Sequence, residues 1–216
     1  MHDFYLHKGK RKILVEYLRD KVGISDENVL KAIGEVPRHL FIESIFQDFA
    51  YEDRAFPIAA HQTISHPSTV AEQTELLEIK SGEKILEIGT GCGYQTAVLL
   101  KMNALVYTIE RQKELFDFSK KKLREMNFHP KFQSFGDGFS GLPEFAPFDK
   151  ILVTCGAETL PTALLKQLEI GGKMVIPLGK TDEQILHRFT KISETEYEKE
   201  QFGIYKFVPM LGDTNS

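Results

Sequence analysis

With 216 residues, 42% of them hydrophobic and 27% charged, the chain has the size and balance of one folded domain with small additions, which excludes a disordered or fibrous protein. A formal net charge of −4 and a pI near 6.0 exclude the broad basic face needed to neutralise nucleic-acid phosphates. Two cysteines, Cys92 and Cys155, outside any C-x-x-C pair exclude a disulfide framework and read as reduced packing residues.

Residues 1–50 read as helical. Ile13, Leu14, Tyr17 and Leu18 recur at helical spacing, and Ser25 is the expected N-cap ahead of Val29, Leu30, Ile33 and Val36. The run Lys8, Lys10, Arg11 and Lys12 reads as a solvated helix face, too short for a nucleic-acid or membrane contact. No apolar leader core opens the sequence and no stretch is apolar enough to span a bilayer, so a cytoplasmic location is expected. Residues 51–65 carry no period and read as a linker, ending at Pro67, which suits the first turn of a helix with Val70, Thr74 and Leu77 inward.

From residue 84 strand and helix alternate. Strands are expected at 84–88, 104–109, 131–135, 150–154 and 174–177; helices at 94–102, 113–126 and 162–168, the second facing inward through Leu115, Phe118, Lys122 and Leu123. This is the rhythm of a mostly parallel, doubly wound α/β sheet of Rossmann-like type. Residues 184–192 and 203–211, separated by the polar stretch 193–201, are expected to pair antiparallel at one edge. The chain thus divides into an N-terminal helical extension with a loop, 1–66, and a nucleoside-binding domain, 67–216.

The sharpest local signal is Glu87-Ile88-Gly89-Thr90-Gly91-Cys92-Gly93, an acid and then alternate glycines where a strand turns into a helix, so that backbone approaches a ligand at the helix start. A dinucleotide fingerprint needs its third glycine where Tyr94 stands. Glu110 ends the second strand about twenty residues beyond Gly89, where a carboxylate can accept both ribose hydroxyls. Asp137, within Gly136-Asp137-Gly138, puts a second acid at the same edge of the sheet. Such a lining repels a pyrophosphate and attracts a sulfonium. Residue by residue, Glu110 also reads as a helix cap and Asp137 as a turn residue.

Thr63 and Ser65, just ahead of Pro67, offer hydroxyls beside helix-start amides, a pattern that suits a carboxylate or a simple cap. His61 and His66 lack the spacing and third partner of a metal site, so no metal is expected.

Val36-Pro37-Arg38, Gln62-Thr63-Ile64-Ser65, the run from Glu87 to Tyr94, Gly136-Asp137-Gly138, Ala146-Pro147-Phe148-Asp149, Val153-Thr154 and Phe207-Val208-Pro209 together resemble the protein-L-isoaspartate O-methyltransferase family, in order and over nearly the whole chain. The resemblance implies methylation, from S-adenosylmethionine, of the free carboxylate of L-isoaspartyl residues in damaged proteins and peptides, which initiates their repair. It implies catalytic roles for Ser65 and Thr63, cofactor contacts at Glu87, Gly89, Thr90, Gly91, Gly93, Glu110, Asp137 and Gly138, and substrate contacts at Ile58, Ala59, His61 and Val208. The expected partners are isoaspartyl-containing proteins and peptides, with no nucleic acid and no membrane, and the chain is expected to be a monomer. Ala59 and His61 stand where the family has glycines, Cys92 where it has serine, and Lys206 where it has arginine. A glycine position with positive φ would force the loop at 59–61 to rearrange. The rival readings are a methyltransferase of the same fold acting on another carboxylate, and a non-catalytic module that binds S-adenosylmethionine.

Overall fold

The computed structural model describes residues 5–180 and 183–215. Residues 1–4, 181, 182 and 216 of the two expected segments lie outside that description.

Helix α1 (Tyr5–Tyr17) continues into a wider turn, Leu18–Val22, and buries Leu14 and Leu18, while Ile13 faces water. Helix α2 (Glu27–Glu35) starts one residue later than expected. Its N-cap is Asp26, whose carboxylate accepts the amides of Asn28 and Val29, while Ser25 turns its hydroxyl to Glu75. Val29, Leu30 and Ile33 are fully enclosed, each contributing roughly 1.5–3 kcal/mol by leaving water. They join one apolar cluster that runs through Ile64, Val70 and Leu77 to Ile85, Val98, Val106 and Leu152. The N-terminal helices therefore share a core with the sheet.

The stretch 51–65 is not a plain linker. It folds as a small antiparallel hairpin of β1 (Phe56–Ile58) and β2 (Gln62–Ile64), with Ile58 opposite Gln62. Ala60 and His61 make the turn with φ of +55° each, and Gln62 N–H bonds the Ala59 carbonyl at 3.2 Å. That is the mirror-type turn whose twist suits a hairpin, normally made by Asn-Gly. Of the two family glycine positions, His61 holds the left-handed conformation and Ala59 does not. The cost is of the order of 1–2 kcal/mol per residue, and the backbone path is kept.

Helix α3 (Pro67–Leu76) follows with Val70, Thr74 and Leu77 buried as expected. Then come β3 (Lys84–Ile88), α4 (Tyr94–Lys101), β4 (Leu105–Glu110), α5 (Lys113–Glu125), β5 (Phe132–Phe135), β6 (Phe148–Val153), α6 (Thr162–Lys166), β7 (Leu168–Lys180), β8 (Glu183–Lys191) and β9 (Tyr197–Tyr205). Helix α5 buries Leu115, Ser119 and Leu123; Phe118 lies on the outer face, a half-turn error in the sequence reading. The seven-stranded sheet runs β5-β4-β3-β6-β7-β8-β9, parallel from β5 to β7 and antiparallel beyond. The last strand occupies Tyr197–Tyr205, not 203–211: the polar stretch itself is strand, and Phe207-Val208-Pro209 follows it. Strand order reverses at β3, so a crevice opens at its carboxyl end between β4 and β6.

Candidate active site

The end of β3 is shaped by close approach. Gly89 has φ +92°, and a Cβ there would stand 2.5 Å from Thr154 Oγ1 at the end of β6. The Thr154 hydroxyl in turn donates to the carbonyls of Ile88 or Gly89. Four amides of the turn are used within the fold. Gly89 and Thr90 N–H bond the Ile109 carbonyl, Gly93 N–H bonds the Thr90 carbonyl, and Gly91 N–H bonds Glu110 Oε2 at 2.8 Å. A phosphate nest needs such donors free, so this turn suits a nucleoside without phosphates.

Glu110 lines the crevice and is nearly enclosed. Its other oxygen accepts Gln112 N–H at 2.8 Å, so it both braces the glycine turn and starts α5. A carboxylate accepts about four hydrogen bonds; Gly91 and Gln112 take two and the Arg111 main-chain N–H also points at it, leaving room for a ligand hydroxyl. Burial raises its pKa, against the backbone donors Gln112 and Gly91.

Opposite stand Val208, Pro209, Met210 and Leu211. Main-chain bonds between Gly156 and both Val208 and Met210 hold this wall at 2.8 and 2.7 Å. Farther on, Arg111 donates to the carbonyls of Asp213 and Gly212, and Asn215 pairs with Gln112. The enclosed space, including its open mouth, is about 930 Å3.

The hairpin closes the remaining side. A Cβ on Gly91 would meet Ile58 Cδ1 at 3.7 Å, so Ile58 packs over the glycine turn. Thr63 and Ser65 line this crevice and also a neighbouring hollow bounded by Ala55, Ser68, Tyr205 and Lys206; Thr154 and Val208 are shared as well. Helix α3 is N-capped by His66 with no side-chain bond, and Ser68 N–H is taken by the Asp53 carboxylate at 2.9 Å. The expectation that helix-start amides help hold a substrate carboxylate is thus corrected at Ser68, and Ser65 is not the cap.

Of the residues singled out from sequence, the crevice brings together Thr63, Ser65, Gly89, Thr90, Gly91, Glu110, Gly138 and Val208. Ile58, Ala59, His61, Gly93, Glu87 and Asp137 are not on its lining. Asp137 instead ties its own turn, accepting Phe139 N–H at 2.9 Å, and Asp213 N–H at 3.3 Å. Cys92 and Cys155 both line the crevice, and burial pushes their thiols up to about 11 and about 12, which favours the protonated form over the thiolate. Gln95 was missed: it lines the crevice, its amide donates to Thr74 Oγ1 at 3.0 Å, and its buried Oε1 has no partner among the described residues.

Glu87 is wholly buried beneath α4, where Thr96 donates to its Oε2 at 2.5 Å. Burial first, with Glu110 adding, pushes its carboxyl up to about 8 against the Thr96 and Thr108 hydroxyls. A carboxyl whose pKa is raised on folding stabilises fully below its unfolded value and loses that contribution as pH rises through the folded one. Glu87→Gln keeps an acceptor for Thr96 without the proton demand. Its stability relative to wild type is therefore expected to rise by a few kcal/mol between roughly pH 5 and 8.5. Denaturant titrations at both pH values check this, and an unchanged difference refutes it.

A doubly wound sheet with an antiparallel β8–β9 edge, a glycine turn whose amides are largely used within the fold and a carboxylate at the end of the next strand fit a Rossmann-like methyltransferase. Residues 9–215 match the profile of the protein-L-isoaspartate(D-aspartate) O-methyltransferase family. The protein-L-isoaspartate O-methyltransferase of Christiangramia forsetii is 57% identical over 100% of both chains, and that of Dictyoglomus turgidum 46% identical over 96% of this chain and 93% of its own. A solved protein-L-isoaspartate O-methyltransferase superposes with a TM-score of 0.85 at 28% identity, covering 94% of this chain and 66% of that one. The Plasmodium falciparum β-aspartate methyltransferase in complex with S-adenosyl-L-homocysteine gives 0.81 at 26% identity, covering 93% and 98%. The chain belongs to the protein-L-isoaspartate(D-aspartate) O-methyltransferase family.

Proposed function

We propose that this chain methylates the free α-carboxylate of L-isoaspartyl residues in damaged proteins and peptides, with the Thr63 and Ser65 hydroxyls receiving that carboxylate. The observation that carries the proposal is their position on the shared rim of two hollows, one suited to the donor and one open to a peptide. The acid-lined crevice, its consumed turn amides and the orphan Gln95 Oε1 fit S-adenosylmethionine, which carries a sulfonium, an amino group and no phosphate. When bound, it supplies an electrophilic methyl group.

The chain's own part is alignment. A substrate carboxyl with a pKa near ~4 is already an anion at neutral pH, so no side chain has to remove a proton. Ser65 and Thr63 donate to one carboxylate oxygen and leave the other directed at the methyl, while Ile64, Leu211 and Met210 keep water from the reacting atoms. Glu110 holds the ribose hydroxyls, and Gln95 Oε1 accepts from the donor's amino group. The N-terminal extension supplies the brace, the hairpin and one side of the donor crevice through Thr63, Ile64 and Ser65, and the methyltransferase domain supplies the rest.

No helix among the described residues is long and apolar enough to cross a membrane. With a net charge of −4, isoaspartyl polypeptides rather than nucleic acids are the assigned partners of a cytoplasmic monomer. The test is transfer of labelled methyl to an isoaspartyl peptide, giving a base-labile ester. Label that never enters the peptide, despite tight donor binding, rejects the activity in favour of a binding module.

Glu110→Ala is expected to weaken S-adenosylhomocysteine binding by about 1.5–3 kcal/mol, the worth of a hydrogen bond to a charged group. Because Glu110 also accepts Gly91 and Gln112 N–H, Glu110→Gln serves as the milder control. Calorimetric titration measures both, and unchanged affinity in a folded Glu110→Ala variant removes the residue from the ribose site.

A further inference from the structure

Among the described residues, the largest side chain with no exposure at all is Arg38, in the 3-10 turn Arg38–Phe41. Its guanidinium lies beyond ion-pair reach of any described carboxylate. Instead it forks across three main-chain carbonyls: Nε to Ala50 at 2.9 Å, and Nη2 to Arg54 at 3.1 Å and to Ser65 at 2.7 Å. Its Cζ lies 4.9 Å from the centre of the Tyr94 ring, and Tyr94 and Ser65 both line the donor crevice. A buried cation without a counter-ion is costly, and an apolar residue of similar volume would fill the same space at less expense. What the guanidinium adds is a rigid planar fork, whose donors fix several acceptors in one geometry.

We infer that Arg38 is a positioning residue for methyl transfer: by holding the Ser65 carbonyl against those of Ala50 and Arg54, it sets the Ser65 hydroxyl on the rim between the two hollows. The inference rests on the catalytic reading of Ser65. Ser65 lies between β2 and α3, outside both hydrogen-bonded elements, and its side chain makes no bond to the fold among the described residues. The shortest of the Arg38 bonds is the one to Ser65. Lysine at 38 keeps a charge but presents its donors from one point, so it cannot span three carbonyls in the same way.

The experiment compares wild type with Arg38→Lys, Arg38→Gln, Ser65→Ala and the double variant Arg38→Lys/Ser65→Ala. It reads kcat and KM on an isoaspartyl peptide, and S-adenosylhomocysteine affinity by calorimetry. The expected result is a fall in kcat of about 30-fold for Arg38→Gln and about 10-fold for Arg38→Lys, with S-adenosylhomocysteine affinity unchanged. The double variant is expected to be no slower than Ser65→Ala alone, because without the hydroxyl there is nothing left to aim.

Three results overturn the inference. One is a folded Arg38→Gln enzyme turning over within about threefold of wild type. The second is Arg38→Lys slowing the Ser65→Ala enzyme by the same factor as wild type, which marks an independent role. The third is that neither Arg38 variant binds the analogue, which makes Arg38 a folding residue only. If Ser65→Ala alone retains full kcat, the Ser65 reading falls and takes this inference with it. If Ser65→Ala is slow and Arg38→Gln is not, only the inference falls.

Discussion

Replacing Ser65 by alanine is expected to slow methylation on the order of 100-fold while S-adenosylhomocysteine affinity and melting temperature stay near wild type. The usual worry with a serine before a helix is that its loss removes a cap, costing about 1 kcal/mol of stability and blurring the kinetic result. Here that worry does not apply. Helix α3 starts from His66 without a side-chain cap, and Asp53, on a different segment, satisfies the Ser68 amide. The hydroxyl of Ser65 is therefore available for substrate, and its removal subtracts an orientation in the reacting complex. Stopped assays with a fixed isoaspartyl peptide, set beside thermal melts, measure the split. A variant that melts lower but turns over at the wild-type rate sinks the proposal.

The second large effect concerns substrate choice. In an isoaspartyl linkage the main chain gains a methylene, and the free carboxylate sits directly on the α-carbon; in a normal aspartyl residue it stands one carbon away on the side chain. A rim that holds the backbone in one hollow and presents the carboxylate to the other discriminates between these by about a bond length. Misplacing reacting atoms by about 1 Å costs roughly 100-fold, so labelled methyl is expected to enter the isoaspartyl peptide at least ~100-fold faster than its aspartyl twin. Equal rates would reassign the chain to a broader carboxylate methyltransferase. The Ala60–His61 turn bears on this outcome, because it keeps the hairpin's path with side chains where glycines would be unstrained.

The alternation from β3 to β6 was legible because β3, β4 and β6 carry apolar runs closed by glycines or charges, and burial of Ile85, Leu86, Val106 and Ile151 is what those runs encode. The crevice was legible for the same reason, through Gly89, Gly91 and Glu110. Other parts carry no such signal. Strand β9 is an edge strand in which Glu198, Lys199 and Glu200 ride along, as edges require, so it reads as a loop. The β1–β2 hairpin is too short for a period and lacks the Asn-Gly that marks its turn. Glu87 reads the same whether it reaches a ligand or, as here, lies with Ile85 on the sheet face that meets Thr96 of α4. Arg38 was legible only as part of a family motif, because its acceptors lie 12, 16 and 27 residues away.

The wall made by Val208, Pro209, Met210 and Leu211 has a consequence for biosynthesis. These residues complete the donor crevice, yet they leave the ribosome after every strand of the sheet. Domains begin to fold as they emerge. The strands β3 through β9 pair without these residues, so the sheet can be complete while the crevice still lacks one side, with Gly156 yet to meet Val208 and Met210 and Arg111 yet to meet the carbonyls of Gly212 and Asp213. Closure of the donor crevice therefore depends on a segment outside the strands, docked on Gly156 and Arg111, and not on the sheet alone.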